Sequence, residues 1–384
     1  MIAPGSTIGI LGGGQLGRML ILAGRPLGYR FHVYEPSAGS CAAPLAERHF
    51  CEAYTNLEAL DAFADSVSVV TLEFENIPAA ALARLEARVP VRPGRRVLEV
   101  AQHRLREKCF LRDGGFPHVE FREVTSPGEL AAAGEALGYP IVVKTAAFGY
   151  DGKGQQKIET RGALDPERIW ETLGDPSAAV VEKWVEFECE VSAVVSRSLD
   201  GETRCFPVSE NRHRNHILHQ SLVPARVEDA ICRRAEALGG ELAEALGVVG
   251  LLAVEFFVTR DGHVLVNELA PRPHNSGHYT QDGCARSQFE QLIRMVAGLP
   301  SLPLELREPT VMTNLLGDLW PVSTSPDWTR ILEHPDAHLH LYDKGEARPG
   351  RKMGHFNLTG STVESALEAA DRIWEGLSAS ARRG

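Results

Sequence analysis

Cysteine is scarce and scattered, with seven in 384 residues, no C-x-x-C pair and no spacing of the zinc-binding kind. That excludes a disulfide framework and a cysteine-built metal centre, and makes a reducing cytoplasm the expected setting. Long apolar runs are also missing. The most apolar stretch, residues 248–258, is broken by Glu255, and the opening MIAPGSTIGIL carries neither a basic segment nor a long apolar one. Neither a membrane span nor a targeting segment is expected. Positive charge is in deficit. A formal net charge of -11 disfavours a general nucleic-acid binder, while leaving room for Lys and Arg to gather in one anion-binding cleft. There is no internal repeat or low-complexity tract. What is present is an ordinary globular composition, 43% hydrophobic and 24% charged, in a chain long enough for two or three domains.

Residues 7–11 read as a buried strand, followed by the glycine turn Gly12-x-Gly14-x-x-Gly17 and an apolar-periodic helix from Arg18. Further strands near residues 31–35 and 68–72 predict a parallel sheet with crossover helices. The backbone N–H groups of the turn suit an anion at a helix N-terminus. Glu35 ends the second strand, where a dinucleotide fold sets its ribose-binding carboxylate, so a nicotinamide-binding domain competes with a plain tight turn. Glu73 and Glu75 alternate along the third strand and are expected on one face, available to a substrate. A Pro-rich stretch at residues 90–93 precedes a basic helix at 103–110, read as the passage into a second domain.

There a strand at residues 141–144 ends in Lys144 and runs into a second glycine loop, Phe148-Gly-Tyr-Asp-Gly-Lys-Gly-Gln155. The loop lacks the G-K-[ST] ending of a Walker A motif, so it covers phosphates as a flap or is an ordinary hairpin turn. In the first case Gly149, Gly152 and Gly154 let the backbone approach a triphosphate, and Lys144 and Lys153 offset its charge. A hairpin is predicted around Thr259-Arg-Asp-Gly262. It sets Glu255 and Glu268 on one face if the connection is even in length, either as magnesium ligands or as a solvent-facing acidic pair, with Asn267 on the other face. The following Arg272-Pro-His-Asn-Ser276 offers groups that bind anions or shuttle protons. A basic cluster at residues 342–355 is a phosphate pocket or a solvated turn. His213, His216 and His219 recur every third residue, a spacing that fits no common zinc pattern, so no histidine metal site is expected. An amphipathic helix is predicted over residues 361–378.

Five segments together resemble the ATP-grasp superfamily and, within it, the N5-carboxyaminoimidazole ribonucleotide synthetases. They are GGGQLGRM at 12–19, EFEN at 73–76, GYDGKGQ at 149–155, NELAPRPHNSGH at 267–278 and RPGRKMGH at 348–355. The likeness spans nearly the whole chain, and the last two segments are the most specific. It implies an α/β chain, α+β in its centre: an N-terminal Rossmann-like parallel-sheet domain over residues 1–101, an ATP-grasp domain over 102–300 and a small C-terminal domain over 301–384.

The resemblance also implies roles. ATP would lie with Arg104 and Lys144 near its phosphates, under the flap Gly149, Tyr150, Asp151, Gly152, Lys153, Gly154 and Gln155. Glu182, Lys183, Trp184, Val185 and Glu190 would hold adenine and ribose beside His213, with Asn267 near the phosphates. Glu255 and Glu268 would bind magnesium. Gln15, Leu16, Glu73, Asn275 and Ser276 would meet aminoimidazole ribonucleotide, and Lys344 and Arg351 would grip its phosphate. Tyr150, Asp151, Arg272 and His274 would line the carboxylation site, where ATP activates bicarbonate as carboxyphosphate and the ribonucleotide amine takes up the carbon. A cytoplasmic homodimer is implied. A formate-dependent glycinamide ribonucleotide transformylase is the nearest alternative, disfavoured by the HNSGH loop. A silent nucleotide-binding regulator is disfavoured by Lys144, Glu255, Glu268 and Arg272 occurring together.

Overall fold

The computed structural model describes residues 1–146, 154–174, 176–320 and 325–381. The first apolar run forms β1 (Thr7–Leu11), and the glycine turn leads into α1 (Gln15–Gly24). Next come β2 (Arg30–Tyr34), β3 (Arg48–Phe50), α2 (Leu57–Asp65) and β4 (Val69–Leu72). All four strands are parallel, in the order β3-β2-β1-β4. β4 is buried along its whole length, as a strand covered on both faces should be. Three helices follow: α3 (Ala79–Glu86), α4 (Arg95–Ala101) and α5 (Arg104–Asp113).

A small antiparallel sheet comes next, built from β5 (Phe121–Val124), β6 (Ile141–Thr145), β7 (Gln155–Ile158) and β8 (Ala179–Lys183) in the order β5-β8-β6-β7. Helices α6 (Pro127–Leu137) and α7 (Pro166–Thr172) cover it, and their apolar faces fill a core of its own around Leu130, Ile141, Ile169 and Val181.

The large sheet begins with β9 (Phe187–Arg197), β10 (Thr203–Cys205), β11 (Ser209–Arg214) and β12 (Ile217–Val223). After α8 (Asp229–Leu246) it continues with β13 (Gly250–Thr259) and β14 (Val264–Ala270), and short α9 (Thr280–Gly283) and α10 (Gln288–Ala297) follow. It does not stop near residue 300. β15 (Thr310–Leu316) pairs with β12, and after α11 (Thr329–Leu332), β16 (Ala337–Leu341) and β17 (Lys352–Thr359) extend the same sheet. Among the described residues this gives the order β14-β13-β9-β11-β12-β15-β17-β16, with β10 on β9. α12 (Val363–Ala381) packs on β15 and β17, starting and ending slightly later than its periodicity suggests.

One hydrophobic cluster joins the three regions. Ile10 and Leu20 from the first sheet and its helix, Leu251 and Ile293 from the centre, and Met312 and Tyr342 from the last region share it. No helix among the described residues is long and apolar enough to cross a membrane.

Candidate active site

Between these sheets lies a cleft of about 1110 Å³. Its wall begins at the glycine turn, where Gln15 and Leu16 open α1 into it. The turn itself is not an open anion site, contrary to its sequence reading. The Gly14 N–H donates to Glu73 Oε1 at 2.6 Å and the Gly17 N–H to Glu73 Oε2 at 3.0 Å. Gly13 donates to Glu35 at 3.1 Å. The helix N-terminus is thus neutralised by the protein's own carboxylates. Glu35 serves the turn rather than a ribose, which removes the basis for a nicotinamide site. Gly12 at φ 98° and Gly14 leave no room for a Cβ against Glu73. Burial pushes the Glu73 carboxyl up, and the bonds from Gly17 and Gly14 oppose that.

Glu73 and Glu75 do not share a face as alternation suggests, because β4 ends at Leu72 and the chain turns away. Glu75 crosses to the loop after β14 and pairs with Arg272 through both carboxylate oxygens. Although burial pushes the Glu75 carboxyl up, the Arg272 guanidinium outweighs it and holds it below the usual carboxylate range. A planar guanidinium gripped at two points is fixed in orientation.

The hairpin acids meet, but not through loop length. Val258 faces Val264 and Phe256 faces Val266, a register that would set Asn267 opposite Glu255. A bulge intervenes, and Glu255 faces Glu268 instead. The extra residue turns the strand so that Asn267 and Glu268 both line the cleft. Burial, with Glu268 opposite, pushes the Glu255 carboxyl up to about 8. Two facing acids that resist joint ionisation, with Asn267 on the same cleft wall, are a set suited to a hard cation.

The other end of the cleft is a charge network. Lys144 contacts Glu182 at 2.7 Å, and Lys108 reaches the same carboxylate at 3.4 Å and the Asn267 carbonyl at 3.1 Å. Despite burial, Lys108 and Lys144 hold the Glu182 carboxyl down at about 2. Lys108 and its neighbour Glu107, whose carboxylate accepts from the Leu269 N–H at 3.0 Å, were hidden in what reads as a basic helix. Lys183, Trp184 and Val185 continue this wall, with Lys157 3.7 Å above the Trp184 ring. Glu190, pushed up to about 7 by burial, meets His213 at 3.3 Å. His216 lines the cleft with His213, whereas His219 is buried apart from them against Trp374. Arg104 donates to the Thr145 carbonyl at 3.0 Å, and Gln155 lies nearby on β7. Gly154 is described just before that strand, whereas Gly149, Tyr150, Asp151, Gly152 and Lys153 lie outside the described residues.

In the middle, His274 Nε2 stands 3.5 Å from Glu255. Its Nδ1 accepts the Ser276 N–H at 3.3 Å, so the neutral ring carries its proton on Nε2. Burial pushes its pKa well down, reinforced by Arg272 and Lys352. Ser276 was expected at the substrate. It is wholly buried behind His274, with its hydroxyl 2.8 Å from Nδ1. Asn275 lines the cleft, and neither end of its amide has a partner among the described residues. Such a group gains most from a ligand.

The basic cluster divides. Arg348 pairs with Glu346, Arg351 donates to the Glu346 carbonyl at 2.7 Å, and Tyr342 and His355 bond each other in the interior at 2.7 Å. Lys344 and Arg351 are not among the residues that line the cleft; burial pushes the Lys344 ammonium down to about 8, with Arg351, Glu73 and Lys352 as charged neighbours. Lys352, which sequence reasoning passed over inside the cluster, lines the cleft itself.

Three family models match the chain: a ribonucleotide synthetase preATP-grasp domain at residues 5–102, an ATP-grasp domain at 109–289 and a phosphoribosylaminoimidazole carboxylase C-terminal domain at 310–369. The chain is 40% identical to an N5-carboxyaminoimidazole ribonucleotide synthase of Bacillus subtilis (strain 168) over 97% of each. It is 42% identical to a bifunctional purine synthesis protein, purC/E, of Dictyostelium discoideum, matching over 92% of this chain but only 37% of that longer one. A solved N5-carboxyaminoimidazole synthase from Aspergillus clavatus, in complex with ADP and 5-aminoimidazole ribonucleotide, superposes with a TM-score of 0.88. Its identity is 33%, over 97% of this chain and 98% of that one.

Proposed function

The chain belongs to the N5-carboxyaminoimidazole ribonucleotide synthase family, and from that premise we propose how its cleft divides the work. It uses ATP to carboxylate the amino group of 5-aminoimidazole ribonucleotide, a step of purine biosynthesis that forms ADP. One observation carries the assignment of roles: a single cleft runs from the Lys144–Glu182 network past the acidic pair and Arg272 to Gln15 and Leu16. Nucleotide and ribonucleotide can therefore meet over His274.

Adenine and ribose lie along Lys183, Trp184, Val185 and Glu190 beside His213, with Lys144 and Arg104 toward the phosphates under the flap of residues 149–155. Glu255 and Glu268, with Asn267 beside them, hold magnesium, which supplies charge neutralisation for the transferred phosphoryl group. Gln15, Leu16, Glu73 and Asn275 meet the ribonucleotide, whose phosphate lies toward Lys344 and Arg351. Bicarbonate is the carbon source, and ATP has to activate it because an aromatic amine is too weak a nucleophile to attack that stabilised anion.

A bicarbonate oxygen attacks the γ-phosphorus, the bond to the β-phosphate oxygen breaks, and ADP leaves. The resulting carboxyphosphate splits into carbon dioxide and phosphate, and the amine nitrogen bonds to the carbon and loses a proton. Arg272, fixed by Glu75, orients the anion. Either His274, neutral with Nδ1 as acceptor, or Asp151 holds or relays the proton, and Tyr150 belongs to the same carboxylation site. A cytoplasmic homodimer is the expected form.

The test is ADP release by the purified chain. It should require bicarbonate and 5-aminoimidazole ribonucleotide together. Release with formate and glycinamide ribonucleotide, and none with the first pair, would overturn the reading.

A further inference from the structure

We propose that Gln288, the first residue of α10, is a positioning residue for His274, acting as a surrogate β-strand neighbour. The side chain is wholly buried, and both of its amide donors and its oxygen are engaged. Oε1 accepts the His274 N–H at 2.9 Å, and Nε2 donates to the His274 carbonyl at 2.7 Å and to His278 Nδ1 at 3.0 Å. One amide thus takes both backbone groups of a single residue, as a paired strand would, where β14 has ended and no strand among the described residues is paired. Turning the amide over would oppose donor to donor and acceptor to acceptor, so the pairing admits one orientation.

Three surrounding features hold the clamp in register. The Gln288 N–H donates to Thr280 Oγ1 at 2.9 Å, Thr280 donates to the Gly277 carbonyl at 2.6 Å, and a Cβ on Gly277 would stand 2.5 Å from Gln288 Oε1. The loop between His274 and His278 is thereby closed on itself, and His274 stays extended at φ -117° and ψ 153° with Nε2 toward Glu255.

This rests on the reading of His274 as a group at the reacting centre. The experiment compares the full chain with Gln288→Met, which keeps length and volume without the hydrogen bonds, and Gln288→Glu, which keeps the acceptor and removes both donors. Misplacing His274 should lower kcat about 100-fold. The KM for ATP should stay within about twofold. In a His274→Ala background, Gln288→Met should cost no more than about threefold further, because coupled residues are not additive. Gln288→Glu answers the question if the Met variant melts early. Either variant at wild-type kcat, or full additivity with His274→Ala, overturns the proposal alone. A wild-type chain without ribonucleotide-dependent ADP release overturns the reading of the site and this proposal with it.

Discussion

The glycine turn after β1 and the hairpin of β13 and β14 both concentrate charge at the cleft, and they manage it in opposite ways. At the turn, Glu73 and Glu35 take the N–H groups of Gly14, Gly17 and Gly13, so each charge has its counterpart within the chain. At the hairpin, Glu255 and Glu268 face each other and burial raises the cost of charging both. The first arrangement is architecture. The second, on the proposed reading, is completed by a cation from outside, since an acidic pair that is costly alone is what a phosphate-bound cation stabilises.

The sharpest test of the contrast is Glu268→Gln. Turnover should fall on the order of 1000-fold, because the cation and its phosphate contacts go together, while the melting temperature holds or rises as the repulsion disappears. A clear loss of stability would make the hairpin acids structural and collapse the distinction. Next comes the strut between the two regions. Arg272→Ala should lower carboxylation about 100-fold with nucleotide affinity kept, as seen by ADP titration, because orientation rather than nucleotide binding is lost. Weakened ADP binding would move Arg272 to the nucleotide end.

At the turn the sign reverses. Glu73→Gln should cost roughly 1–3 kcal/mol in denaturant unfolding, since the new amide presents a donor to one of two buried N–H donors. Unchanged stability would show that the turn does not depend on its built-in anion. The smallest effect belongs to Lys344, which borders Glu73 in the same electrostatic neighbourhood. Burial lowers its pKa to about 8, so the charged form is full below that value and lost as pH rises through it. The KM for the ribonucleotide should rise about tenfold from near pH 7.5 to near pH 9, and Lys344→Arg should flatten the profile. A flat wild-type profile would separate Lys344 from the phosphate.

Features with a local period were legible in the sequence: β1, the glycine turn, the hairpin and the helix near the C-terminus follow from alternation, 3.6-residue spacing and turn residues. Contacts across the chain were not. Glu73 caps α1 from 56 residues away, and Gln288 clamps His274 from within an unremarkable amphipathic helix. No periodicity encodes either. The bulge at Asn267 was equally invisible, since parity of the connection alone cannot reveal an inserted residue. Lys108 and Lys352 sat inside basic stretches where the sequence does not distinguish a cleft-facing lysine from a solvated one. Family likeness supplied the reaction, which the residues by themselves left open.

The passage of the large sheet through residue 300 has a consequence for anyone dissecting this chain. β12 and β15 are bonded neighbours from either side of that point. A fragment cut there would bare a row of unpaired N–H and C=O groups on β12, a ready template for another copy. Such a fragment should precipitate or oligomerise rather than fold as a minimal nucleotide-binding unit. Division into modules along the sequence is therefore not division into separable bodies, and modular engineering here would have to carry β15 to β17 along.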